Sequence, residues 1–143
     1  SDTAHKTRDI LVVSGLFGGD SLALLVNHWP SRRGGEMLSR PNRHAAATVV
    51  KHICDSIEKN CPATRILVMG DFNDDPVNAS VKKVLGTHNL PLSHASGQFF
   101  NPMEDLYRKG IGSLAWQDSW NLFDQILLNS QWAWNQKGWH FYE

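Results

Sequence analysis

The stretch LVMGDFNDDP, residues 67–76, decides how this chain is read. An apolar run reaches Gly70, and then Asp71, Asn73, Asp74 and Asp75 crowd into five residues. Two readings compete. Asp and Asn are favoured in turns because their side chains hydrogen-bond nearby backbone, so the stretch can be a solvated turn. Alternatively, something positive offsets the charge. A calcium loop of the EF-hand type is excluded. It requires Gly at its sixth position and Glu at its twelfth, and counting from Asp71 these positions hold Pro76 and Lys82.

Working outward, the run Ile66–Met69 reads as a strand with both faces covered, because it is continuously apolar. Upstream, Ile10–Val13 and Leu22–Val26 read as two strands of a hairpin turned at Gly18-Gly19-Asp20. Trp29–Pro41 reads as a loop, and a helix is expected after Pro41 with Asn42 as its N-cap. Ala46, Val49, Val50, Ile53 and Ile57 follow the spacing of one buried helical face. Downstream, a short helix is expected over Asn78–Leu85. An irregular segment follows over Gly86–Gly112, with one helical turn at Met103–Arg108. Strands are expected over Leu114–Trp120, Phe123–Leu128 and Trp139–Tyr142. The fold class is therefore α/β (or α+β), a mostly antiparallel sheet covered by helices.

Two further stretches resemble the acidic one in kind. In LLVNHWPSRRGGE, His28 ends an apolar strand just ahead of Arg32 and Arg33. In WNLFDQILLN, Asp124 sits inside an apolar run, where a carboxylate is costly unless paired or hydrogen-bonded. A lone His is more often a satisfied core residue, and an isolated Asp is more often a capped turn. Three such features, each at a strand end or in a strand, favour a shared site, because a rigid sheet positions groups there.

Composition narrows the field. The 143 residues suit one domain over 1–143. Fourteen basic and fourteen acidic residues balance, so net charge does not point to a polyanionic partner. No apolar run approaches the length of a membrane span. Cys54 and Cys61 lack zinc spacing and read as unpaired thiols, which leaves the compartment open.

The pieces TRDILVV, VNHWPSR, GDFNDDP and FDQILLN occur in the order found in the endonuclease/exonuclease/phosphatase superfamily, and the chain resembles that family over nearly its whole length. The NHWPSRRGGE variant is similar to uncharacterised bacterial members. The resemblance implies part of a four-layer, deoxyribonuclease I-like α/β sandwich. It also implies a Mg²⁺- or Mn²⁺-dependent phosphoesterase, a nuclease first, in which activated water attacks the phosphorus in line. Phosphoinositide phosphatases and sphingomyelinases share that core, and a binding protein on the same scaffold is the non-catalytic alternative.

By motif, the resemblance makes Asp71 the group that orients or activates the water and the candidate metal ligand. Asn73 holds the water or a phosphoryl oxygen. His28 donates to the phosphate or the leaving oxygen. Asp124 accepts from the ring N–H of a catalytic His. Arg8, Arg32 and Arg33 are the candidate phosphate-binding residues. The family's metal-binding Glu and its terminal Ser-Asp-His motif are not found in the 143 residues. The resemblance therefore implies the later part of such a domain, inactive alone and prone to self-association or to pairing with the rest of the sandwich. Asp74 is expected at a second metal position or in solvent, and Asp75 is expected to shape the turn. The Trp-rich end, Trp116 to Trp139, is expected to pack against the sheet.

Overall fold

The structure, a computed structural model, describes residues 8–91, 97–116, 118–134 and 137–142. The hairpin forms as expected. Strands β1 (Leu11–Phe17) and β2 (Asp20–His28) pair antiparallel around Gly18-Gly19. Helix α1 (Glu36–Asn60) then crosses over to β3 (Arg65–Asp71), which lies parallel to β2. A single wide helical turn follows at Ser80–Val84, closed by Leu85 N–H donating to Ser80 O. Two-residue strands β4 (Thr87–His88) and β5 (Phe99–Phe100), helix α2 (Met103–Arg108), and a separate hairpin of β6 (Leu114–Trp116) and β7 (Ser119–Asn121) lead to β8 (Asp124–Asn129) and helix α3 (Ser130–Trp134). The main sheet has six strands in the order β1-β2-β3-β8-β5-β4. Three of its pairings are antiparallel and two are parallel.

One face of the sheet is dry. Ala23, Leu25, Ile66, Val68 and Leu127 point to α1, which returns Ala46, Ala47, Val50 and Cys54. Burial pushes the Cys54 thiol up to about 12, which makes it an inert core residue. The opposite face is open. Leu11, Val13 and Phe17 of β1 and Ile126 of β8 stay 41–60% exposed there. The continuously apolar β3 is therefore fully covered on one side only.

Five expectations are corrected. The helix begins at Glu36 rather than after Pro41, so Asn42 lies inside it. Arg43 stitches the first turns across the proline, donating to Ser39 Oγ at 2.8 Å and to Glu36 O at 3.4 Å. The expected strand Leu114–Trp120 is instead two strands of a hairpin. Residues 139–142 form no strand. Asp124 is exposed, not buried: β8 alternates, turning Gln125 and Leu127 inward and Asp124 and Ile126 outward. Of the Trp-rich end, Trp120 is 56% and Trp139 50% exposed, whereas Trp132 is half-buried and donates to Ile66 O. Thr7 and the side chains of Trp116 and Trp134 lie outside the described residues.

Candidate active site

The ends of β2, β3 and β8 meet at one corner of the open face. In register, His28 pairs with Asp71, and Asp71 pairs with Asp124. Register partners share a sheet face, so the three side chains stand in a row across three adjacent strands. His28 Nε2 lies 3.7 Å from Asp71 Oδ2, and both side chains are open to water. Two carboxylates directly opposite one another are destabilising unless positive charge intervenes. The His28 ring stands beside Asp71 in this row, and a bound cation would supply such charge.

The corner is rigid for identifiable reasons. Gly70 has φ +132°, and a Cβ there would sit 2.0 Å from Asn27 O, so only glycine lets β3 press this closely on β2 before Asp71. Trp29 N–H donates to Asp71 O, and Phe72 N–H donates to Phe123 O. The Trp29 and Phe72 rings stack with centroids 4.5 Å apart. Asp71 Oδ1 accepts the Asn73 N–H at 2.8 Å, which holds Asn73 in its left-handed turn at φ +50°. The Asn73 side-chain amide donates to Trp29 O at 2.9 Å, and Arg8 donates to the same carbonyl at 3.2 Å. Arg8 is thus brought to the edge of the row. Ser113 Oγ accepts the N–H groups of both Phe123 and Asp124.

The other two aspartates have a different fate. Asp74 is 1% and Asp75 5% exposed, so neither faces solvent. Arg43 Nε sits 2.7 Å from Asp74 Oδ1, as a charge contact rather than an aligned hydrogen bond. Ser80 Oγ donates to Asp74 Oδ2. Arg32 donates to Asn73 O, Asp74, Asp75 and Asn78, and its guanidinium carbon lies 4.5 Å from the centre of the Phe123 ring. Burial pushes the Asp75 carboxyl above its ordinary range, against the opposing pull of the Leu122 N–H and Arg32. Arg32 is therefore a clamp on the acidic loop, and its charge is already engaged. Arg40 pairs with Glu36, whose carboxyl it holds below the usual range. Arg33 is exposed.

The donor set can be weighed against a divalent cation. Among the described residues, no three or more His, Cys, Asp or Glu side chains converge into a cage. Asp71 and Asp124 nevertheless offer hard oxygen donors in register. Mg²⁺ commonly takes only one or two carboxylates, keeps several waters, and completes its shell with substrate phosphate. The pair fits that pattern.

The chain matches the Endonuclease/Exonuclease/phosphatase family over residues 1–143 and belongs to it. Members are hydrolases acting on phosphoester bonds, and they generally use divalent metals. Among solved structures it is similar to truncated Caenorhabditis elegans TDP2, with TM-score 0.56 and 18% identity over 83% of this chain and 45% of that one. A humanized D. rerio TDP2 gives TM-score 0.51 and 23% identity over 85% and 42%. Sphingomyelinase C from Streptomyces griseocarneus gives TM-score 0.54 and 17% identity over 85% and 42%. The fold is deoxyribonuclease I-like. The chain spans less than half the length of each of these three structures. No curated protein matches it.

Sequence reasoning missed the support around the site. Arg43, Ser113, Leu114 and Asn121 carry no local signal of the contacts they make around it.

Proposed function

We propose that the row His28–Asp71–Asp124 is the phosphoester-hydrolysing corner of a Mg²⁺- or Mn²⁺-dependent phosphodiesterase. The observation that carries this is the register, which sets a histidine and two carboxylates side by side at the open ends of β2, β3 and β8. A hydrated cation held by Asp71 and Asp124 would supply charge neutralisation at the phosphoryl oxygens and lower the pKa of water. Asp71 orients the attacking water through the carboxylate oxygen not engaged by Asn73. His28, exposed beside it, donates to the phosphate or to the leaving oxygen. Asp124 fixes a histidine presented to it by another segment of the polypeptide. Asn73 shapes the loop and offers its remaining amide atoms to the same space. Of the three candidate arginines, Arg8 and Arg33 remain to meet substrate phosphate.

Because the chain covers 45% or less of these neighbours, the proposal assigns turnover to a polypeptide that completes the sandwich, and it expects the isolated chain to be inactive. The open apolar face is expected to be covered by that remainder or by self-association. A monomer in sedimentation with no affinity for any other segment would argue against such a cover. The test of function is hydrolysis of bis(p-nitrophenyl) phosphate and plasmid DNA with Mg²⁺ and with chelator. It would be run on this chain and on any longer gene product containing it. Turnover that needs Mg²⁺ and disappears in Asp71→Ala supports the reading. Absence of turnover in every form contradicts it.

A further inference from the structure

Beside the row lies an open cleft of about 720 Å³, between the loop that precedes α1 and the β6–β7 hairpin. Its size falls within the range of small-molecule sites, about 300–1,000 Å³. Asn73 and Phe123, which line it, are neighbours of the row: Asp71 holds the Asn73 N–H, and Phe123 directly precedes Asp124. Ser31 and Glu36 line the loop side, and Leu114 and Asn121, themselves register partners, line the hairpin side.

The charge of this cleft is already settled within the fold. The Arg32 guanidinium that borders it is engaged by Asp74, Asp75, Asn78 and the Asn73 carbonyl. Glu36 is engaged by Arg40 and Arg43. What remains on offer is chiefly the half-exposed Leu114, beside a Phe123 that is only 7% exposed, with Asn121 and Ser31 as polar handles. An extended polyanion needs several cations along its track, and among the described residues this cleft offers none that is unengaged. An apolar or aromatic group gains by leaving water against Leu114 and Phe123.

We infer that this cleft is the subsite for the non-reacting substituent of the substrate, and that it selects a compact phosphoester carrying an aromatic or apolar group over duplex nucleic acid. This rests on the proposed function, since it places the ester phosphate at the row. Leu114, Asn121 and Phe123 are then the specificity-determining residues.

The test separates the two claims by using non-hydrolysable probes of equal charge. Phenylphosphonate and methylphosphonate are titrated, with Mg²⁺ present, into isotope-labelled protein and followed by amide chemical shifts. Phenylphosphonate is expected to bind about tenfold tighter, the gain from withdrawing part of a phenyl ring from water. Its extra shifts are expected at Leu114, Asn121 and Phe123. Leu114→Ser is expected to bring the ratio to within about twofold. Equal affinities, or extra shifts on another part of the molecule, overturn the inference. So does tighter, salt-dependent binding of a short DNA duplex whose shifts map to the cleft. If Asp71-dependent hydrolysis is found without an aromatic preference, the cleft assignment fails and the catalytic reading stands. If the preference is found and no phosphoester is ever turned over, the catalytic reading fails and the cleft stands as a binding site.

Discussion

Asp71 and Asp74 occupy one loop three residues apart, and the fold treats them in opposite ways. Asp71 stays 37% exposed, with one oxygen on a neighbouring N–H and the other facing His28. Asp74 is closed off from water between Arg43, Arg32 and Ser80. A buried carboxylate is tolerable only when paired and hydrogen-bonded, and one already satisfied in this way is not free to meet a substrate. An exposed carboxylate opposite a second carboxylate is poised to take up positive charge. The crowd of acids at the mouth of β3 is thus two separate devices: a neutralised anchor and an open row.

The largest effect is expected where the anchor is cut. Asp74→Ala removes the nearer counter-charge of the fully buried Arg43 and leaves it only the longer contact to Glu36, which should destabilise the protein by about 3 kcal/mol. Urea denaturation would measure it. A loss under 1 kcal/mol would erase the distinction between the two aspartates. Next comes the glycine that lets the row form. Gly70→Ala should cost roughly 1–3 kcal/mol through the clash with Asn27 and the left-handed backbone, again read as a shift in denaturation midpoint.

A smaller effect concerns pH. Burial pushes the Glu104 carboxyl up, but hydrogen bonds from Lys82 and Arg108 prevail and hold it below its ordinary value of 4.5. An acid whose pKa is lower in the folded state contributes stability above the unfolded value and loses it as pH falls through the folded one. Stability should therefore decline as pH drops below 4.5, and Glu104→Gln should flatten that decline. Asp75 carries the opposite sign. Its raised value favours the protonated folded form, so its contribution fades as pH rises from the ordinary 3.8. Asp75→Asn should leave the protein relatively better off at neutral pH than at pH 3. Denaturation series across pH 3–7 would check both slopes. The smallest effect on stability is expected for Asp71→Ala, about 1 kcal/mol or less, because one hydrogen bond to Asn73 and a solvent-open contact with His28 are lost.

What could be read beforehand divides along the same line. The hairpin, α1, β3, β8 and the short helix at Met103–Arg108 follow from local pattern and turn chemistry. His28 and Asp71 stand out at the ends of apolar runs, and Asp124 stands out inside one. The partners of Asp74 and Asp75 could not, since Arg32 and Arg43 approach from more than thirty positions away in sequence and only the folded crossover brings them together. Pro41 misled because it reads as a helix start. The contacts that Arg43 makes back to Ser39 and Glu36 carry the helix through it. Asp124 looked buried because its neighbours are apolar, but alternation along β8 turns it outward. Strands β4 and β5 are two residues each, too short for any period to register.

The most direct test pairs activity with stability in Asp71→Ala. Mg²⁺-dependent hydrolysis of bis(p-nitrophenyl) phosphate would be measured in the longest gene product that contains this chain, with urea denaturation of the same preparations. Hydrolysis is expected to be abolished while the denaturation midpoint barely moves. Hydrolysis at the wild-type rate in Asp71→Ala would contradict it, because the open row would then play no part in the chemistry.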